Sequence, residues 1–463
     1  MVNRKALHVF DRKIDGFIYS TDTDFLVCQP PSIVPRSVHA VNVSLPPESN
    51  NLLVTHPKSP WTSWVASRKR QVVFWLIVLV AVVLATHWID LRVEHYLRGD
   101  RAKLVSGAWG DLQEWDIRLE QPLEYVGFEK TTEKGPFWSF GTLTEQAVHD
   151  LMIASGCSED QAKKLLQSRM SGTGAIFVLQ PDPETILSLT PETRSKLYLA
   201  LSQNQSNRFQ NTPYFIPEGN VDELFSGHKE FGFKGISLVK KLCYQRNGFT
   251  YFSDPEVVLK ALDSDQRRLA FLQVLTGQNA VLARLLIRPE SDIDKPLNYW
   301  ALSMHGVLLK DLMPLLQAQK REPNGGSLSI LYLLPSLARE RLFTSPLPPQ
   351  NDGQKLPDCH WTALNFFSDN PDPRMNDNGY ASQFIQNNYY EVAKPGVAGD
   401  LVLLVNPLGQ VVHSAVYLAD DLVFTKNGIN YAQPWILMHI KDMQGNFSAL
   451  EPVKVAYFRR KGM

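Results

Sequence analysis

The chain has 463 residues, and its 47 Lys+Arg balance 47 Asp+Glu to a formal net charge of zero. That length exceeds one ordinary hydrophobic core, so two or three folded units are expected, and 44% hydrophobic with 20% charged residues is the mix of soluble domains. A zero net charge counts against a nucleic-acid binder, whose phosphate contacts call for a basic excess, so no nucleic-acid partner is expected.

The first stretch, residues 1–67, holds Pro-rich polar runs such as QPPSIVPRSV and SLPPESNN with little periodicity, which predicts disorder. No methionine occurs between Met1 and Met152. A start near Val65 would enter an apolar run at once, so residues 1–64 also read as an over-extended beginning. From Val72 to Ala85 the run VVFWLIVLVAVVLA carries no charge. Arg68, Lys69 and Arg70 precede it, and Trp75 and Trp88 stand near its ends. Residues 68–90 therefore read as a single transmembrane signal anchor with the amino side cytoplasmic. The alternatives are a signal peptide cleaved near Val83-Leu84-Ala85 and a buried core helix. Either membrane reading places the rest of the chain outside the cytoplasm, in the periplasmic space at a bacterial inner membrane.

Residues 91–141 read as a connector, and residues 142–344 as an all-α domain. Helix starts are signalled where a side-chain oxygen can satisfy free amides: Thr142-Leu-Thr-Glu145, Ser158-Glu-Asp-Gln161, Ser253-Asp-Pro-Glu256, Asp263-Ser-Asp-Gln266 and Thr190-Pro191. His149, His228 and His305 are isolated and assemble no catalytic set, so this region is expected to serve as a scaffold that docks a protein partner. The Pro-rich residues 345–357 read as a linker.

Four cysteines, Cys28, Cys157, Cys243 and Cys359, stand far apart with no Cys-x-x-Cys pair. Hence no zinc ribbon, and no metal or cofactor, is expected. In an oxidising compartment Cys157 and Cys243 could pair; otherwise the thiols are separate and buried.

From residue 358 to 463 the pattern changes. Pro357 and Asp358 lead into a helix beginning at Cys359, where free amides would favour thiolate. Three strand-like runs come next, Asp400–Val405, Val411–Leu418 and Leu422–Thr425, joined by the turns Asn406-Pro-Leu-Gly409 and Asp420-Asp421. His413 projects from the middle run as a candidate general base, and Asn427 or Lys426 could orient its ring.

The order Asp358-Cys359, then Gly399-Asp400-Leu401-Val402, then His413-Ser-Ala-Val-Tyr417-Leu418 resembles the NlpC/P60 superfamily of papain-like cysteine hydrolases over about the last 105 residues. The resemblance implies an α+β papain-like domain with a helix-borne cysteine and an antiparallel sheet. It implies a thiolate of Cys359 attacking an amide carbonyl, with His413 as base and Asn427 as orienter. The substrate would be a peptide or a peptidoglycan stem peptide. Two positions depart from the pattern. His360 and Trp361 stand where the family has Ser and Gly, and the third polar position is filled only by Lys426 or Asn427. A cysteine peptidase or amidase of the envelope is therefore one expectation. A non-catalytic envelope scaffold with a degenerate site, or an acyltransferase, is the other.

Overall fold

The computed structural model describes residues 102–121, 135–303, 309–351 and 354–463, and the part from Ala102 to Met463 clusters as one compact unit. The apolar run Val72–Ala85 and residues 1–67 lie outside the described residues. Among the described residues no helix is long and apolar enough to cross a membrane.

The chain opens with a hairpin, β1 (Lys103–Gly107) and β2 (Gly110–Leu119), inside the stretch read as a connector. Two short strands, β3 (Trp138–Ser139) and β4 (Val178–Leu179), pair across the first two helices, Glu145–Ala154 and Glu159–Gln167. Next come β5 (Tyr214–Ile216), β6 (Tyr244–Arg246) and β7 (Phe249–Phe252), which form a three-stranded antiparallel sheet in the order β5-β7-β6. The long strand β8 (Gln278–Ile287) pairs along the whole of β2, except at its first residue, and β9 (Gly326–Ser329) closes the far edge, giving the order β1-β2-β8-β9.

The all-α reading of residues 142–344 is thus corrected to a mixed α/β arrangement, because six strands, β4 to β9, fall inside it. β8 shows the physical reason. After Gly277, residues Val281, Ala283, Leu285 and Ile287 are buried in one core at a spacing of two. That is a strand's period, in a run whose apolar density also satisfies a helical one. The capping signals match the structure more closely. Ser158 and Gln161 form a reciprocal capping box, and Thr190 caps Pro191–Leu201. The other caps shift by one or two residues, to Thr144, Asp254 and Ser264.

Beyond residue 358 lie the helices Cys359–Leu364 and Asn378–Asn388 and a six-stranded antiparallel sheet. Its strands are β10 (Tyr389–Val392), β11 (Leu401–Val405), β12 (Val411–Ala419), β13 (Leu422–Lys426), β14 (Trp435–His439) and β15 (Lys454–Arg460). They lie in the order β10-β15-β11-β12-β13-β14. The three runs predicted as an antiparallel meander are β11, β12 and β13.

This sheet is buried on both faces. One face, with Leu401, Leu403, Val416, Leu418 and Phe424, shares a core with Trp361 and Ala363 of the helix Cys359–Leu364, with Phe366 just beyond it, and with β8. The opposite face, with Val402, Leu404, Ala415, Tyr417 and Val423, packs on Met443 of the helix Ile440–Phe447. The loop before β11 is fixed by Asp400, fully buried. Its carboxylate accepts from Arg459 Nε and Nη2, both at 2.8 Å, and from the amides of Gly396 and Val397. Gly399 must be glycine: its φ is +102°, and a Cβ there would meet the Phe367 ring at 2.2 Å.

The preceding mixed region is tied to this sheet and its flanking helix by its own side chains. Arg246 Nη1 donates to Ala449 O at 2.9 Å, Asn247 Nδ2 to Ser448 O at 2.7 Å, and Tyr251 Oη to Gly445 O at 2.7 Å. On the other edge Phe343 N donates to Trp435 O at 2.7 Å, and Trp435 N to Thr344 O at 2.9 Å.

Candidate functional site

Cys359 is the first residue of its helix, and Asp358 is the N-cap whose carboxylate accepts the Trp361 amide at 2.7 Å. Trp361 is buried in the core, and the hydroxyl of Thr362 accepts Trp435 Nε1 at 3.0 Å. The cap and these two anchors hold the helix start against β12. The expected arming of the sulfur does not occur. Cys359 is 7% exposed, and burial, with Asp358 adding to it, pushes the thiol up to about 12. The amides of Ser414, His360 and Cys359 itself act in the opposite direction and are outweighed.

The residues around Cys359 are His360 of its own helix and Ser414 and Lys426 of the sheet face turned toward that helix. His360 Nδ1 lies 2.7 Å from Ser414 Oγ. Burial holds the His360 imidazole below its ordinary range, against the pull of Asp358. Lys426, fully buried, donates from Nζ to Gly428 O at 2.6 Å and to Asn430 O at 3.0 Å. Burial lowers its ammonium to about 8, with Cys359 and the Asp358 charge opposing.

His413 lies on the other face. The β11–β12 register pairs Leu403 with Ser414 and Leu404 with His413, so the two neighbours point to opposite sides. The His413 ring stacks on Phe447, with 4.1 Å between centroids and 24° between planes. Thr425 Oγ1 donates to Ser414 O at 3.3 Å and therefore accepts from His413 Nε2 at 2.8 Å. This fixes the Nε2–H tautomer and leaves Nδ1 buried with no partner. Burial, with His360 repelling a second positive charge, pushes the imidazole down to about 3.

Asn427 sits on the His413 side, where Nδ2 reaches Gln278 Oε1 at 3.4 Å and Met438 Sδ at 3.5 Å. It makes no hydrogen bond to His413. The structure therefore brings Cys359, His360, Ser414 and Lys426 together on one face, and His413 with Thr425 and Asn427 on the other. Cys157 and Cys243 are free, so the disulfide alternative is not realised.

One further group carries no signal in the sequence. Among the described residues Glu114, Asp421 and His439 bring one ligand atom each within 4.8 Å of one another. They come from β2, from the β12–β13 turn and from the end of β14, and no spacing in the chain links them. Comparison of the chain with family models, curated proteins and solved structures finds no match.

Proposed function

We propose that this chain is a non-catalytic interaction protein, with a degenerate NlpC/P60-like pattern in its last 105 residues and a partner-docking groove in its middle region. The orientation of His413 carries the proposal: its ring stacks on Phe447 and bonds Thr425, on the face of β12 opposite the one where Ser414 meets His360 of the Cys359 helix. A general base must come within hydrogen-bond reach of the proton it takes, and both residues sit in strand and helix backbone rather than in a loop that could bring them together. Burial also works against acyl transfer: it pushes the Cys359 thiol up to about 12, so little thiolate forms near neutrality, and pushes the His413 imidazole down to about 3, so the neutral ring is a weak base.

A docking surface is present elsewhere. A groove of about 580 Å³ is lined by Pro183, Leu187 and Phe233, with Lys234, Lys241 and Lys260 around them. Phe233 is 84% exposed, an unusual position for a large aromatic residue. None of the three lysines forms an ion pair with a described carboxylate. An apolar floor with a basic rim fits an acidic peptide segment bearing one bulky apolar anchor.

The test has two arms on the full chain. A fluorescent acidic peptide with a leucine or phenylalanine anchor should bind, weaken with added salt, and lose affinity in Phe233→Ser and in Lys241→Glu. Hydrolysis of peptidoglycan stem peptides should be absent, in the wild type as in Cys359→Ala. Stem-peptide cleavage that disappears in Cys359→Ala would replace this proposal with the cysteine hydrolase.

A further inference from the structure

Glu114 occupies the middle of β2, paired with Lys103 and Ala283 on its two neighbouring strands, and only 2% of its surface is exposed. Both carboxylate oxygens are buried, and neither has a hydrogen-bond partner. An isolated buried carboxylate is costly, and native proteins satisfy such groups with a donor, a counter-charge or an ion. Facing it are two further donor atoms: the carboxylate of Asp421 and a ring nitrogen of His439, all three groups within 4.8 Å.

The histidine is set for coordination. His439 Nε2 lies 3.2 Å from Asp116 Oδ1, and Nδ1 lies 2.8 Å from Asp421 Oδ1. A carboxylate thus faces each ring nitrogen; with Asp116 accepting from Nε2–H, loss of the Nδ1 proton frees that nitrogen's lone pair for an ion, the arrangement by which outer carboxylates orient metal-bound histidines. Asp116 stands two residues after Glu114, on the same face of β2. Asp421 is held in the two-residue turn between β12 and β13, where its carbonyl accepts the Ile440 amide at 2.8 Å. Access is open from the rim, since the side chains of Asp421 and Asp116 are 41% and 84% exposed. Lys103, the nearest ammonium, is turned to Asp420 at 3.5 Å and is itself 57% exposed.

We propose that Glu114, Asp421 and His439 form a binding site for one divalent transition-metal ion of the zinc class, with Asp116 orienting the histidine and water filling the remaining position. One nitrogen and two carboxylate oxygens are a donor set that zinc accepts at about 2.0–2.2 Å. The imidazole disfavours calcium and magnesium, which take oxygen ligands. Binding replaces the proton shared between His439 Nδ1 and Asp421 and gives the Glu114 carboxylate, which no hydrogen bond satisfies, a direct partner. This site is independent of the docking groove and of Cys359.

The experiment uses the full chain stripped with chelator and dialysed, then titrated with Zn²⁺ by calorimetry, and separately with Co²⁺ followed by visible absorption. The expected result is one saturable ion per chain and a Co²⁺ d–d spectrum without thiolate charge transfer. Asp116→Asn should weaken binding roughly 10–100-fold, and Glu114→Gln and Asp421→Asn should weaken it further. Asp421 lies in an exposed turn, so its variant keeps the test valid if Glu114→Gln fails to fold. Absence of saturable uptake, uptake unchanged in Asp421→Asn, or a thiolate charge-transfer band would each overturn the proposal.

Discussion

His413 and Ser414 are consecutive residues of β12, yet they belong to different interiors. Ser414 Oγ meets His360 beside Cys359, while the His413 ring lies flat on Phe447 under the opposite face. Because the strand's side-chain period is two, the two side chains leave β12 on opposite faces, and a one-residue shift of β12 against β11 would exchange them.

The buried imidazole makes stability depend on acid. His413 is pushed down to about 3 in the folded state, whereas the unfolded chain protonates it near 6.5. Between those values the unfolded state binds the extra proton, so this group's contribution falls as pH drops, by ~1.4 kcal/mol per unit. Urea unfolding at pH 4 to 6 should show a shallower pH slope in His413→Leu than in the wild type. An identical slope would mean that the ring titrates normally.

Cys359 should be a slow thiol. With its proton held up to about 12, iodoacetamide at pH 8 should modify it far more slowly than a free cysteine peptide. Denaturant should release it together with Cys157 and Cys243, whose thiols burial pushes up to about 11 and about 12. Mass spectrometry of peptides alkylated before and after unfolding reads this directly; rapid native labelling at Cys359 would contradict it.

Asp400 in the Gly399-Asp400 motif is a structural anchor. Its carboxylate is fully buried and forked onto Arg459, so Asp400→Ala leaves two amides without an acceptor and the guanidinium without its partner. The expected loss is about 3–5 kcal/mol in chemical denaturation. A loss below about 1 kcal/mol would show that water replaces the carboxylate, as it does at exposed pairs.

Asp254 acts in the opposite sense to His413. It is buried, accepts Tyr198 Oη at 2.8 Å through Oδ1, and leaves Oδ2 without a partner. Burial pushes its carboxyl up to about 7. Between 3.8 and that value the folded state holds a proton the unfolded chain has lost, so stability from this group falls as pH rises. Asp254→Asn should therefore gain relative to the wild type on going from pH 4 to pH 8, as read from denaturation midpoints at the two pH values.

Local signals in the chain are legible where backbone geometry alone decides them. The Ser158–Gln161 box, Thr190-Pro191 and the Asp358 cap form as their side chains dictate, and β11, β12 and β13 begin and end within a residue or so of the predicted runs. Two kinds of information are not local. β2 and β8 are each stabilised by the other, across a separation that no window spans, so β2 hides in a connector-like stretch and β8 in a helical-looking one. The face of His413 depends on the register of β12 against β11, including an irregularity between Leu404 and Val405, and a motif written as an order of residues does not carry register. For the same reason Glu114, Asp421 and His439 leave no trace along the chain: their proximity is a property of sheet topology.

The stretch at residues 345–357 looks like a hinge on paper, and Leu347 there is 77% exposed. Yet the chain before it is fastened to the part beyond it, through Phe343 and Thr344 on Trp435 and through Arg246, Asn247 and Tyr251 on residues 445 to 449. A protease cutting this exposed stretch would sever the covalent thread and leave the particle whole. The two fragments would travel together in a native gel and part only in detergent.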